Sequence, residues 1–133
     1  MICDLGACRK WYIGDAIRDI LIADPDVYGQ VGNHIYPLVA AENTKGDFIV
    51  YLRQKYGREF TKQGAYEDVC EVAVIAISEN YDKAVELASN IDEALSGSYT
   101  NDEDGCKMDI MLLDSTETFE DNKYIETLVF SIK

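Results

Sequence analysis

Apolar residues recur at helical spacing over residues 11–24, where Ile13, Ala16, Ile17, Ile20 and Leu21 form one stripe and Asp15, Arg18 and Asp19 face away. The pattern predicts a helix that stops at Pro25, because proline lacks an N–H and pushes Asp24 out of the helical region. Residues 26–33 (DVYGQVGN) carry Gly29, Gly32 and Asn33 and read as a turn. A short extended piece, His34–Tyr36, ends at Pro37, and a polar loop spans residues 42–47. The run FIVYLRQ at 48–54 is rich in aromatic and β-branched residues, as strands are. The run EDVCEVAVIAIS at 67–78 is the strongest strand signal. Val72, Val74 and Ala76 take one face and Ala73, Ile75 and Ile77 the other, so a central, covered position is expected. A second helical stripe, Ala84, Leu87, Ala88, Ile91 and Leu95, lies in residues 81–96. Asn80 suits its N-cap and Gly97 the position after its C-cap. Residues 107–114 and 123–132 read as two further strands joined by an acidic linker, 115–122.

Between the two strongest strands lie residues 55–66 (KYGREFTKQGAY), too long for a tight turn and broken by Gly57 and Gly64. They read as an extended, projecting hairpin. The expected fold is therefore α+β: a single two-layer domain over residues 1–133. Its antiparallel sheet has about four main strands and two helices on one face, after an N-terminal extension, 1–10. At 133 residues the chain is long enough to bury a core without disulfides or metal.

Charge changes the picture more than composition does. The chain holds 25 acids against 12 lysines and arginines, a formal charge of −13, and would repel a phosphate backbone on average. The distribution is uneven. Residues 98–122 hold eight acids and one lysine, whereas Arg53, Lys55, Arg58 and Lys62 cluster with Glu59 as a basic stretch. Tyr56 and Phe60 lie between those cations. Such interleaving can stack on single strands, but with this net charge a protein partner is the better reading. Arg53, Tyr56, Arg58, Phe60 and Lys62 are accordingly the candidate interface with another subunit or partner. Asp102, Glu103, Asp104, Glu117, Glu120 and Asp121 are the candidate acidic counter-surface.

Enzymatic chemistry finds little support. His34 is the only histidine and sits in no nucleophile signature. No phosphate-cradling or nucleophile-elbow motif is present. Cys3, Cys8, Cys70 and Cys106 form no C-x-x-C pair, so no zinc site is expected, and Cys70 reads as a small buried hydrophobe. Asp102–Glu103–Asp104–Gly105 lacks the spacing of a calcium loop. No apolar run approaches the ~20 residues of a membrane span. The expectation is a protein with no cofactor, no metal, no membrane segment and no active site.

Four segments then resemble the tail completion, or tail terminator, proteins of long-tailed phages. They are Ile17–Val27 (IRDILIADPDV), Val31–Pro37 (VGNHIYP), Phe48–Leu52 (FIVYL) and Val72–Gly97 (VAVIAISENYDKAVELASNIDEALSG). The resemblance covers roughly residues 13–97. Asp47 stands where that family usually has proline, and the extension with Cys3 and Cys8 has no counterpart. The resemblance implies a non-enzymatic virion subunit, phage or prophage, that forms a ring, often a hexamer. The ring would cap the tail tube and join it to the head connector. The implied partners are further copies of the chain, the tail tube protein and the head connector protein. DNA would pass an acidic lumen without specific binding, and the location would be the virion tail, assembled in the host cytoplasm. The rival expectation is a monomeric adaptor that binds protein through the 55–66 hairpin.

Overall fold

In the computed structural model, residues 10–40, 45–60, 66–101 and 106–133 are described. A 3-10 turn, Lys10–Tyr12, leads into helix α1, Ile13–Ala23. Its stripe is buried as expected: Ile13, Ile17 and Leu21 have no exposed surface, and Ile20 packs at the margin. The helix stops before Pro25, but the expected turn after it is a short helix, α2, Pro25–Val31. The Asp24 side chain accepts from the N–H groups of Asp26 and Val27, at 3.0 and 3.1 Å, and so caps it. Proline ends the first helix yet suits the first position of the next, where its missing N–H costs nothing. Gly32, at φ +58°, closes α2.

Six strands follow, with one more helix among them. They are β1, Ile35–Pro37; β2, Phe48–Phe60; β3, Tyr66–Ser78; β4, Gly97–Asn101; β5, Cys106–Glu120; and β6, Lys123–Ile132, with α3, Tyr81–Leu95, between β3 and β4. They form one sheet in the order β1-β2-β3-β6-β5-β4. β1 pairs parallel to β2, and every other neighbour pair is antiparallel. The expected antiparallel sheet of about four strands with two helices is thus a mixed sheet of six with three α-helices. The additions are α2, hidden by its glycine and proline, and the polar β4, while the short extended piece expected at 34–36 is β1. The Asn80 side chain caps α3 through the Lys83 N–H at 3.1 Å, as expected. Gly97 has positive φ but opens β4 rather than forming a left-handed cap.

The helices share one sheet face. Leu87, Ile91 and Leu95 of α3 and the α1 stripe close over Ile49, Tyr51, Val72, Val74, Leu128 and Phe130. Cys70 belongs to the same core, as the sequence suggests. Gly14 sits where a Cβ would come within 3.1 Å of the Tyr51 ring, so α1 can approach β2 closely only without a side chain there. The register puts Ala73, Ile75 and Ile77 on the opposite face, over which no described helix packs. The expectation that β3 is covered on both sides is therefore corrected: its second apolar face is bare of helices.

Two β-bulges interrupt the ladder, one in β2 between Arg53 and Lys55 and one in β5 between Leu112 and Asp114. By register both lie at the level of Val72 and Phe130 in the two central strands. Bulges bend a strand and raise its twist, so the sheet bends along this line. Beyond it the β2–β3 and β5–β6 hairpins run on in opposite directions.

Candidate assembly surfaces

The projecting hairpin is present and longer than expected, because β2 and β3 stay paired out to Phe60 and Tyr66. Arg53 does not reach outward alone. Its guanidinium donates to the Trp11 carbonyl at 3.2 Å and lies 4.4 Å from the Trp11 ring centre and 5.8 Å from that of Tyr56. Trp11 and Tyr56 meet edge to face, with centroids 5.4 Å apart. This cation–aromatic stack fixes the root of the arm to the start of α1. Tyr56 packs against the core margin, and Arg58 is exposed farther along. Phe60 ends β2, while Lys62 lies outside the described residues.

The register also revises the charge of this arm. Lys55 stands opposite Glu71, Arg58 opposite Asp68, and Glu67 opposite Glu59. Residues 53–71 hold four cations and four acids, so the arm as a whole carries no net charge in the sequence. Arg53, Lys55 and Arg58 lie on the outer strand, together with Glu59, and Glu67, Asp68 and Glu71 lie on the strand behind.

Of the predicted acidic surface, Asp102, Glu103 and Asp104 fall outside the described residues. Glu117, Glu120 and Asp121 are exposed on the β5–β6 hairpin. The expected acidic linker is mostly strand: only Asp121 and Asn122 turn, both with positive φ (52° and 62°), as a two-residue type I′ hairpin requires. Glu117 pairs across the sheet with Glu126. The Tyr81 hydroxyl at the start of α3 donates to the Glu117 carboxylate, 3.2 Å from each oxygen. Phe119 and Tyr124 sit beside them, ring centroids 4.8 Å apart, and the group lines a cleft of about 270 Å³. Hydrogen bonding to Glu117 raises the Tyr81 hydroxyl above its ordinary pKa.

Burial, then the hydrogen bond with Glu117 and that neighbour's charge, push the Glu126 carboxyl up to about 7. One Glu126 oxygen is buried with no hydrogen-bond partner. A carboxyl raised on folding takes up a proton that the unfolded chain has released. Its contribution to stability is full below the unfolded pKa of about 4.3 and is lost as pH rises to about 7. Glu126→Gln should therefore stabilise the protein at pH 8 and do little at pH 4.5. Solvent screening of a partly exposed group limits the gain to about 1 kcal/mol. Urea titrations at the two pH values measure it, and an equal effect at both would rule out a shared proton.

The surface that sequence reasoning missed is the helix-free sheet face. Val50, Leu52, Ile75, Val129 and Met111 lie on it by register. Lys123 stands over the Phe48 ring there at 5.0 Å. The signal of this face in the sequence is the apolar odd positions of β3, which by pattern alone are indistinguishable from those of a doubly covered strand. His34, the lone candidate for imidazole chemistry, is exposed and stacks on Tyr36 with centroids 6.2 Å apart. No cluster of three or more metal-ligating side chains occurs among the described residues. No described helix is long and apolar enough to cross a membrane.

The domain is thus an α+β fold with one mixed six-stranded sheet, three α-helices on one face and two hairpin arms. No family model matches the chain, and no curated protein does. Among solved structures it is similar to a chain of the virion of the native gene transfer agent particle. That match has a TM-score of 0.69 and 17% identity, and covers 87% of this chain and 89% of that one. At that identity the likeness establishes a common fold.

Proposed function

We propose that the chain is a non-enzymatic structural subunit of a phage-type virion. In this reading it forms a ring, six copies being the natural size, that caps the tail tube and joins it to the head connector. The observation that carries the reading is the fold likeness to a gene transfer agent virion chain along nearly the whole of both chains. The segments that resemble tail completion proteins point the same way. A charge of −13 suits a channel that DNA must traverse without sticking.

Particles carrying an epitope-tagged copy, labelled with gold and viewed by electron microscopy, test the assignment. One label cluster per particle at the head–tail junction is expected. Absence from particles, or label spread along the tube, would overturn it.

A further inference from the structure

We propose that copies of this chain join by sheet edges, the outer edge of β5 in one copy pairing antiparallel with the outer edge of β2 in the next. The inference rests on the ring reading above and adds the contact that closes it.

Among the described residues, β1 covers β2 only at Ile49–Tyr51, and β4 covers β5 only at Cys106–Ile110. Residues 52–60 of β2 and 111–120 of β5 therefore present open edges of similar length. Long open edges recruit further strands unless something blunts them. On β5 the bulge at Leu113 and three carboxylates blunt the edge only in part, and Met111, Leu113 and Phe119 are each about half exposed along it.

Charge selects the pairing. The β5 edge carries Asp114, Glu117 and Glu120, and the β2 edge carries Arg53, Lys55 and Arg58 against the single acid Glu59. A β5–β5 pairing would set carboxylates against each other and a β2–β2 pairing would oppose cations, whereas β5–β2 is complementary. Direction agrees as well. β2 and β6 run one way and β3 and β5 the other, so continuing the sheet from β5 of one copy to β2 of the next gives an antiparallel pair. Because the two edges differ, the contact is head-to-tail and generates a ring when its rotation closes.

The geometry also fixes a stagger. Tyr56, midway along the open part of β2, is level with Ile110, whereas the middle of the open part of β5 lies near Ser115. Because the bulged Leu113 adds no step to the ladder, matching the edges shifts successive copies by about four residues, or roughly 14 Å, along the strands. A staggered sheet closes only if its strands tilt to the ring axis, as they do in barrels.

Two charge-reversed chains test the contact: Lys55→Glu with Arg58→Glu, and Asp114→Lys with Glu120→Lys. Sedimentation velocity and native mass spectrometry up to millimolar concentration give the readout. The parent chain should form a closed oligomer. Each variant alone should associate more than about tenfold more weakly, since its altered edge meets a like charge. An equal mixture should recover the parent mass, because every junction of an alternating ring is then complementary. Chains that failed to fold could not recover, so the mixture also controls for folding. If both variants form rings as the parent does, edge pairing is wrong and the ring reading stands. If the variants are weak and the mixture stays weak, edge pairing is again wrong. A parent chain that stays monomeric removes the ring reading together with it.

Discussion

Replacing Phe130 with alanine should cost about 3–5 kcal/mol, the range for emptying a large aromatic site in a core. Phe130 is wholly buried on β6 and stands level with Val72 of β3 and Leu112 of β5, beneath the helices. It occupies the line along which the sheet bends, where a backbone set by two bulges can least collapse to fill the hole. Domains of this size hold about 5–15 kcal/mol in total, so the variant should melt roughly 10–20 °C lower. Urea denaturation of Phe130→Ala beside Met111→Ala measures the effect. Met111 is 57% exposed on the helix-free face, and its truncation should stay within about 0.5 kcal/mol in the monomer. A loss under 1 kcal/mol at Phe130 would mean that the helices do not close over the sheet as described.

The second large effect is expected at Asp47. Its carboxylate accepts from the Ser78 hydroxyl at 2.6 Å and from the Gln30 side-chain amide at 2.8 Å. Ser78, almost fully buried, also accepts from the Asn80 N–H at 3.1 Å. Gln30 donates in turn to the Lys83 carbonyl at 3.0 Å. One carboxylate therefore joins the end of α2, the entry to β2, the end of β3 and the first turn of α3. Asp47→Ala leaves a buried hydroxyl without its charged acceptor and should cost about 2–3 kcal/mol. Asp47→Ala with Ser78→Ala should cost less than the sum of the single changes, since the second removes the group the first leaves unsatisfied. Additive losses in the denaturation cycle would show that the network is not a unit.

Periodicity carried the parts of the fold where one face is buried and the other wet. The α1 and α3 stripes, the Pro25 stop and the Asn80 cap could all be read because each is a local pattern of a few residues. The strands were cut short at the same physical feature. β2 was read to end at Gln54 and β5 at Asp114, and both places are bulges, where one extra residue breaks the two-residue alternation. α2 was hidden by glycine and proline, and β4 by its polar sequence GSYTN. The candidate site fared similarly. Reading charge along the chain found the basic stretch, but the acids that face it are supplied by β3, and only the register brings them opposite. The Glu117–Glu126 pair was out of reach for the same reason: a strand pairing joins residues that the sequence separates by a turn.

The two aligned bulges also constrain how the arms could change length over time. Side chains beyond Gln54 take their faces from that extra residue: Tyr56 points to the core side because the count shifts there. Deleting Gln54 would heal the bulge, since Arg53 and Lys55 already pair with the consecutive residues Val72 and Glu71; it would keep Tyr56 on the core side and remove only the local bend, whereas a second insertion would turn Lys55 to Phe60 over by one pleat. Matched additions to β2 and β3 at the tip would leave all existing faces intact. The arm is thus built to vary from its end inward, in paired steps, while its root can lose the extra residue but not gain another.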